Sequence, residues 1–155
     1  MTSNELDELL RPTVAPPAPR GPLPWRVASQ FWVAFLGGVP AVTAIAFLNA
    51  GRLGANESKR RWILLAGGVA LLLTIALMGW LGMTNEHRST SRIGVRVIAV
   101  LLYLVLARIQ RDDDGRHQVF GSGEYASLWI PGLVATVVSA VAVVGLALLV
   151  FFFIQ

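Results

Sequence analysis

Residues 31–50 read FWVAFLGGVPAVTAIAFLNA, twenty positions without a formal charge. A helix that crosses a bilayer needs about 20 predominantly apolar residues, each adding 1.5 Å of rise. The stretch is therefore predicted to span. It begins 30 residues in and is too long for the apolar core of a signal peptide, so it is expected to be retained.

Three further apolar segments lie outward of it, at 62–83, 93–107 and 128–154. The second and fourth are uncharged and long enough to cross. The third has 15 residues and contains Arg96. Between Arg92 and Arg108 it covers about 24 Å of helix, and arginines at its ends can snorkel toward water. A full span is favoured, with a re-entrant or interfacial helix as the alternative. The predicted fold is all-α: a polytopic membrane protein whose four transmembrane helices form two antiparallel hairpins over 31–155. A mobile Pro-rich tail over 1–30 precedes them, holding six of the eight prolines and a short leucine repeat at Leu6, Leu9 and Leu10.

Composition agrees. The 155 residues are 55% hydrophobic and 14% charged, against about 25% charged in soluble domains, and the mean hydropathy is +0.63. Tryptophans favour the membrane–water boundary. In a four-span layout, Trp25, Trp32 and Trp80 fall on one side and Trp62 and Trp129 on the other. Orientation stays open, because two arguments conflict. Arg52, Lys59, Arg60 and Arg61 in the first loop, with Arg108, Arg111 and Arg116 in the third, lean toward a cytoplasmic face. The N-terminal tail would then lie on the opposite face, although a 30-residue tail without a signal sequence more naturally stays in the cytoplasm.

The same residues exclude most chemistry. There are no cysteines, so thiolate centres are excluded, and with only two histidines a histidine-rich metal site is not expected. His87 and His117 fall on opposite faces if 93–107 spans. Asp112, Asp113 and Asp114 beside Gly115 resemble a cation loop but lack the EF-hand spacing. Flanked by Arg111 and Arg116, they read as a solvated turn ending the third helix. Gly121, Ser122 and Gly123 precede no Lys-Ser/Thr pair, so they read as the turn before the fourth helix. No Asp, Glu, Lys or His lies inside a span, which argues against ion-coupled transport. Neither a nucleophile–base pair nor a basic face for nucleic acid appears. The chain is expected to be no enzyme, to need no cofactor or metal, and to bind no nucleic acid.

Packing signals are stronger. Ala34 with Gly38, and Gly37 with Ala41, are small residues four apart that permit close helix approach. Gly132, Ala135, Ser139 and Ala142 form a similar seam in the last helix. Pro40 is expected to kink the first helix. Asn49, followed by Gly51, Arg52 and Gly54, reads as its C-terminal stop, a bond across to a neighbouring helix being the alternative. Lys59, Arg60, Arg61 and the isolated Arg96 are candidates for lipid headgroup contact.

Phe35-Leu36-Gly37-Gly38-Val39-Pro40, Asn49 and Arg52-Leu53-Gly54, with Gln110, Ser127 and Trp129 further on, resemble a loosely defined set of small bacterial inner-membrane proteins. That resemblance implies a four-helix protein of the bacterial plasma membrane and no particular activity. The functional expectation is a non-catalytic accessory or assembly subunit that contacts lipids and other membrane proteins. The alternative is a small oligomeric channel or transporter.

Overall fold

The computed structural model describes residues 22–83, 88–120 and 123–154. A single 3-10 turn, Val27–Ser29, leads into four helices: α1 (Gln30–Arg52), α2 (Glu57–Met83), α3 (Arg88–Phe120) and α4 (Trp129–Ile154). Three segments are long and apolar enough to cross a membrane: Val27–Arg52, Glu57–Leu81 and Ile93–Phe120. In α4 the apolar stretch Trp129–Gly145 is shorter, and the helix itself continues to Ile154.

The stretch 31–50, expected as one spanning helix kinked at Pro40, is two helical halves. Gly38 has φ 71 and ψ −164, a backbone region open essentially to glycine alone. Pro40 sits two residues later, in the first turn of the second half, where its missing N–H costs no helical bond. It begins a helix rather than kinking one.

The break reverses the chain. Gln30 and Asn49 both donate to Gln110 Oε1, at 3.4 and 3.0 Å. In a straight helix these two residues lie about 28 Å apart along the axis, far beyond the reach of two amide side chains. Other pairs repeat the closure. The Trp25 N–H donates to Asn49 Oδ1 at 2.7 Å. Arg52 donates to the Leu23 carbonyl at 2.9 Å, and its guanidinium lies 3.7 Å from the Trp25 ring centroid. Residues 30–37 therefore run away from this polar end, and residues 39–52 return to it.

Contacts along the neighbouring helices follow the same course. On the outgoing half Phe31 meets Tyr103, and Phe35 lies under Arg96. On the returning half Thr43 abuts Gly67, and Phe47 lies under Arg60. Helices α2 and α3 meet at the polar end through Lys59 and Asp113, and at the far end through Leu77 against Gly94. Helix α4 starts at the polar end, where the Ala126 N–H donates to the Pro24 carbonyl. It then descends beside α1. Among the described residues α1 touches all three other helices, whereas α4 touches α1 alone.

Two apolar cores result. Ala34, Val42, Ala46, Ile63, Ala99 and Leu106 fill the space between α1, α2 and α3. Trp25, Val33, Ala41, Ile45 and Leu128 fill that between α1 and α4. Trp25 and Val27, expected in the tail, are buried, so packed chain begins ahead of residue 31. The leucine repeat of the tail and its prolines up to Pro19 lie outside the described residues.

Helix α3 is much longer than the apolar run 93–107. The turn expected at Asp112–Asp114 does not form, and helix continues to Phe120. The apolar run stops there because side chains turn polar, not because the backbone does. The stop of α1 does rest on glycine. Gly54 has φ 68; the Ala55 N–H reaches the Ala50 carbonyl and the Gly54 N–H that of Gly51, satisfying carbonyls that a helix end leaves free.

Candidate functional site

The least expected feature is polar and buried. Gln30, Asn49 and Gln110 are 0%, 0% and 1% exposed, drawn from the start of α1, its end, and α3. Burying an amide without partners costs several kcal/mol, and here the three satisfy one another in part. Gln110 Oε1 accepts from both others, while Asn49 Oδ1 accepts the Trp25 N–H. Gln30 Oε1 and Gln110 Nε2 have no partner among the described residues. Asn49 is thus a tertiary crosslink; the helix cap expected of it falls to Leu53 and Gly54. The residues were visible in the sequence as lone uncharged polar positions beside apolar runs. Their convergence depends on the reversal at Gly38.

Charged groups ring the same end. Lys59 Nζ lies 2.9 Å from both carboxylate oxygens of Asp113, a pair with side chains 34% and 10% exposed. Arg111 and Arg116 were the expected partners of the aspartates, but Asp113 turns inward to α2. Asp114 accepts the Tyr125 hydroxyl at 2.9 Å, and His117 Nε2 donates to the Glu124 carbonyl at 2.9 Å. Desolvation raises the Tyr125 phenol above its usual 10.0; the bond from Gln118 opposes this and Asp114 adds to it. Among the described residues no group of three or more His, Asp or Glu is placed to hold a metal ion.

The small-residue seams meet each other. A Cβ on Gly37 would lie 2.7 Å from Thr136 Oγ1 and 3.1 Å from its Cα, and one on Gly132 would lie 3.0 Å from Val33 Cγ2. Ser139 donates to the Gly37 carbonyl at 2.9 Å, satisfying an acceptor that the break leaves without a helical donor. Ala34 and Ala41 are buried, and Ala135 packs against the α1–α4 core. Gly38 has open space where a Cβ would stand, so its distinction is the backbone angle rather than close approach. Ala142, beyond the turn of α1, is exposed.

Of the basic candidates, Lys59 is paired with Asp113. Arg60 lies 4.4 Å over the Phe47 ring, and Arg61 reaches Glu57 one turn back at 3.3 Å, both side chains well exposed. Arg96 is exposed and stands 5.1 Å over Phe35. It belongs to the far end of the molecule and does not join the other three. Comparison with protein-family models, curated proteins and solved structures finds no match for this chain.

Proposed function

We propose that the chain is a multi-pass membrane protein acting by contact, as an accessory or assembly subunit of a larger membrane complex. In this reading α2, α3 and α4 cross the bilayer, while α1 dips in and returns to the face it left. Irregular backbone at membrane depth is tolerated where protein satisfies it; here Ser139 of α4 bonds the Gly37 carbonyl, and Val39 packs into the core shared with α2 and α3.

The re-entrant course removes the conflict over orientation. Residues 22–29, the first loop and the third loop now share one face. Among the described residues that face collects Arg26, Arg52, Lys59, Arg60, Arg61, Arg108, Arg111 and Arg116. Only Arg88, Arg92 and Arg96 fall toward the other. The positive-inside rule makes the crowded face cytoplasmic. Trp25, Trp32, Trp62 and Trp129 then lie near that interface and Trp80 near the opposite one. The resemblance noted above supports a bacterial plasma membrane.

One observation carries the contact role. Among the described residues helix α4 packs on α1 alone, and α1 turns back at the level of Gly37 and Ser139. Below that level α4 has no partner within the chain among the described residues, and Val141, Val143 and Val144 are more than half exposed. Among the described residues Thr43, Thr74, Thr136 and Ser139 each bond to a backbone carbonyl, which leaves little polar lining at the depth of the spans. The broken α1 favours the second reading, a small oligomeric channel or carrier, since interrupted helices build such sites.

Mild-detergent purification at native expression separates the two. The accessory role predicts a second membrane protein in fixed stoichiometry, lost with Val141→Trp and kept with a substitution on exposed α2 such as Leu72→Trp. A lone species conducting ions or solutes in liposomes would overturn it.

A further inference from the structure

We infer that the face between α2 and α3 binds a single anionic phospholipid of the cytoplasmic leaflet, one acyl chain lying in a groove capped by Arg61 and Arg108. The inference rests on the membrane orientation proposed above. The groove encloses about 460 Å³, and its walls are entirely apolar, with Trp62, Leu65, Val69 and Leu73 on one side and Leu101 and Val105 on the other.

Its length selects the occupant. From Trp62 to Leu73 the helix rises about 16 Å, one leaflet of a hydrocarbon core about 30 Å thick. The lining of α3, from Ile98 to Ile109, covers the same depth. A partner's transmembrane helix needs both leaflets, whereas an acyl chain needs one. The upper edge is marked by Trp62, an indole suited to headgroup depth.

Charge sits at that edge. Arg61 lies one turn above Leu65 on the same stripe of α2, and Arg108 lies close to one turn beyond Val105 on α3. Arg61 holds Glu57 only loosely, at 3.3 Å with both side chains exposed. Arg108 and Arg111 meet no carboxylate among the described residues, while Asp113 is occupied by Lys59. In the proposed orientation Arg61 and Arg108 lie at headgroup depth where the groove opens. A guanidinium pair suits a phosphate, offering paired N–H donors to its oxygens.

The test is native mass spectrometry of the full chain from detergent, titrated with phosphatidylglycerol and phosphatidylcholine of matched chains. Wild type should retain phosphatidylglycerol preferentially. Each basic residue facing an anionic headgroup is worth about fivefold at low salt, so Arg61→Gln with Arg108→Gln should cut that preference about thirtyfold. Leu101→Trp, at an exposed groove-lining position, should reduce retention of both lipids, and Val137→Trp on α4 should change neither. Equal retention of the two lipids by wild type, or undiminished binding by Leu101→Trp, overturns the site. Failure of the membrane reading is distinguished separately, because the chain would then be extracted from membranes by alkaline carbonate.

Discussion

Gly38→Ala separates a reversed α1 from a continuous one by the sign of its effect. At φ 71 and ψ −164 an alanine is strained, and holding a residue in such a region costs about 1–3 kcal/mol. No neighbour lies within 4 Å of where its Cβ would stand, so the cost is purely conformational and packing cannot relieve it. In an uninterrupted helix the same substitution would gain about 1 kcal/mol, because alanine is the better helix former. Gly68→Ala supplies the internal reference: it lies inside α2 with open space around it and should be neutral or stabilising. The assay is thermal or denaturant unfolding of the purified protein in one detergent, with all variants compared side by side. Loss of stability by Gly38→Ala with none by Gly68→Ala is expected. Equal gains in both would refute the break at Gly38.

The amide cluster and the half-buried ion pair give further tests by the same unfolding assay, and the phenol gives one by titration. Gln110→Leu leaves the amide donors of Gln30 and Asn49 without their acceptor and should cost about 2–4 kcal/mol. Adding Asn49→Leu to it should cost less than Asn49→Leu alone, a coupling that a double-mutant cycle reads directly. Lys59→Met strands Asp113, whose side chain is only 10% exposed, and should cost about 2 kcal/mol after allowance for the exposed lysine. Arg61→Gln removes an exposed i,i+4 pair and should change stability by no more than about 0.5 kcal/mol. Tyr125 should ionise above its usual 10.0, mainly through desolvation. A raised folded pKa means its contribution is complete below pH ~10 and is lost as pH climbs through the folded value. Absorbance titration near 295 nm should show a phenol ionising above 10.0 in wild type that is absent from Tyr125→Phe.

Much of this fold was legible because apolar length is a local property. The runs 62–83 and 128–154 mark α2 and α4 closely, and Gly54 ends α1 for the backbone reason its sequence suggests. Helix α3 was underestimated because its last turns carry Arg111, Asp112 and Asp113, which end an apolar run without ending a helix. The reversal of α1 was signalled only in part. Gly37-Gly38-Val39-Pro40 announces an interruption, but a kink and a complete turn begin with the same residues. The distinction lies in Gln30, Asn49 and Gln110, far apart in the chain and each unremarkable singly. The shortest run, 93–107, is the one whose length leaves a re-entrant helix open beside the favoured span, whereas the chain reverses in 31–50. Length limits whether a helix can cross, and only tertiary contacts decide whether it does.

The most direct measurement is the side of the membrane on which α1 begins and ends. The chain has no cysteines, so single substitutions Ala28→Cys, Asn56→Cys, His87→Cys and Arg116→Cys can be labelled with a membrane-impermeant maleimide in cells and in inverted vesicles. A re-entrant α1 predicts that positions 28, 56 and 116 react from one side, the cytoplasmic one, and position 87 from the other. Positions 28 and 56 reacting from opposite sides would mean that α1 crosses the bilayer, and would contradict the account.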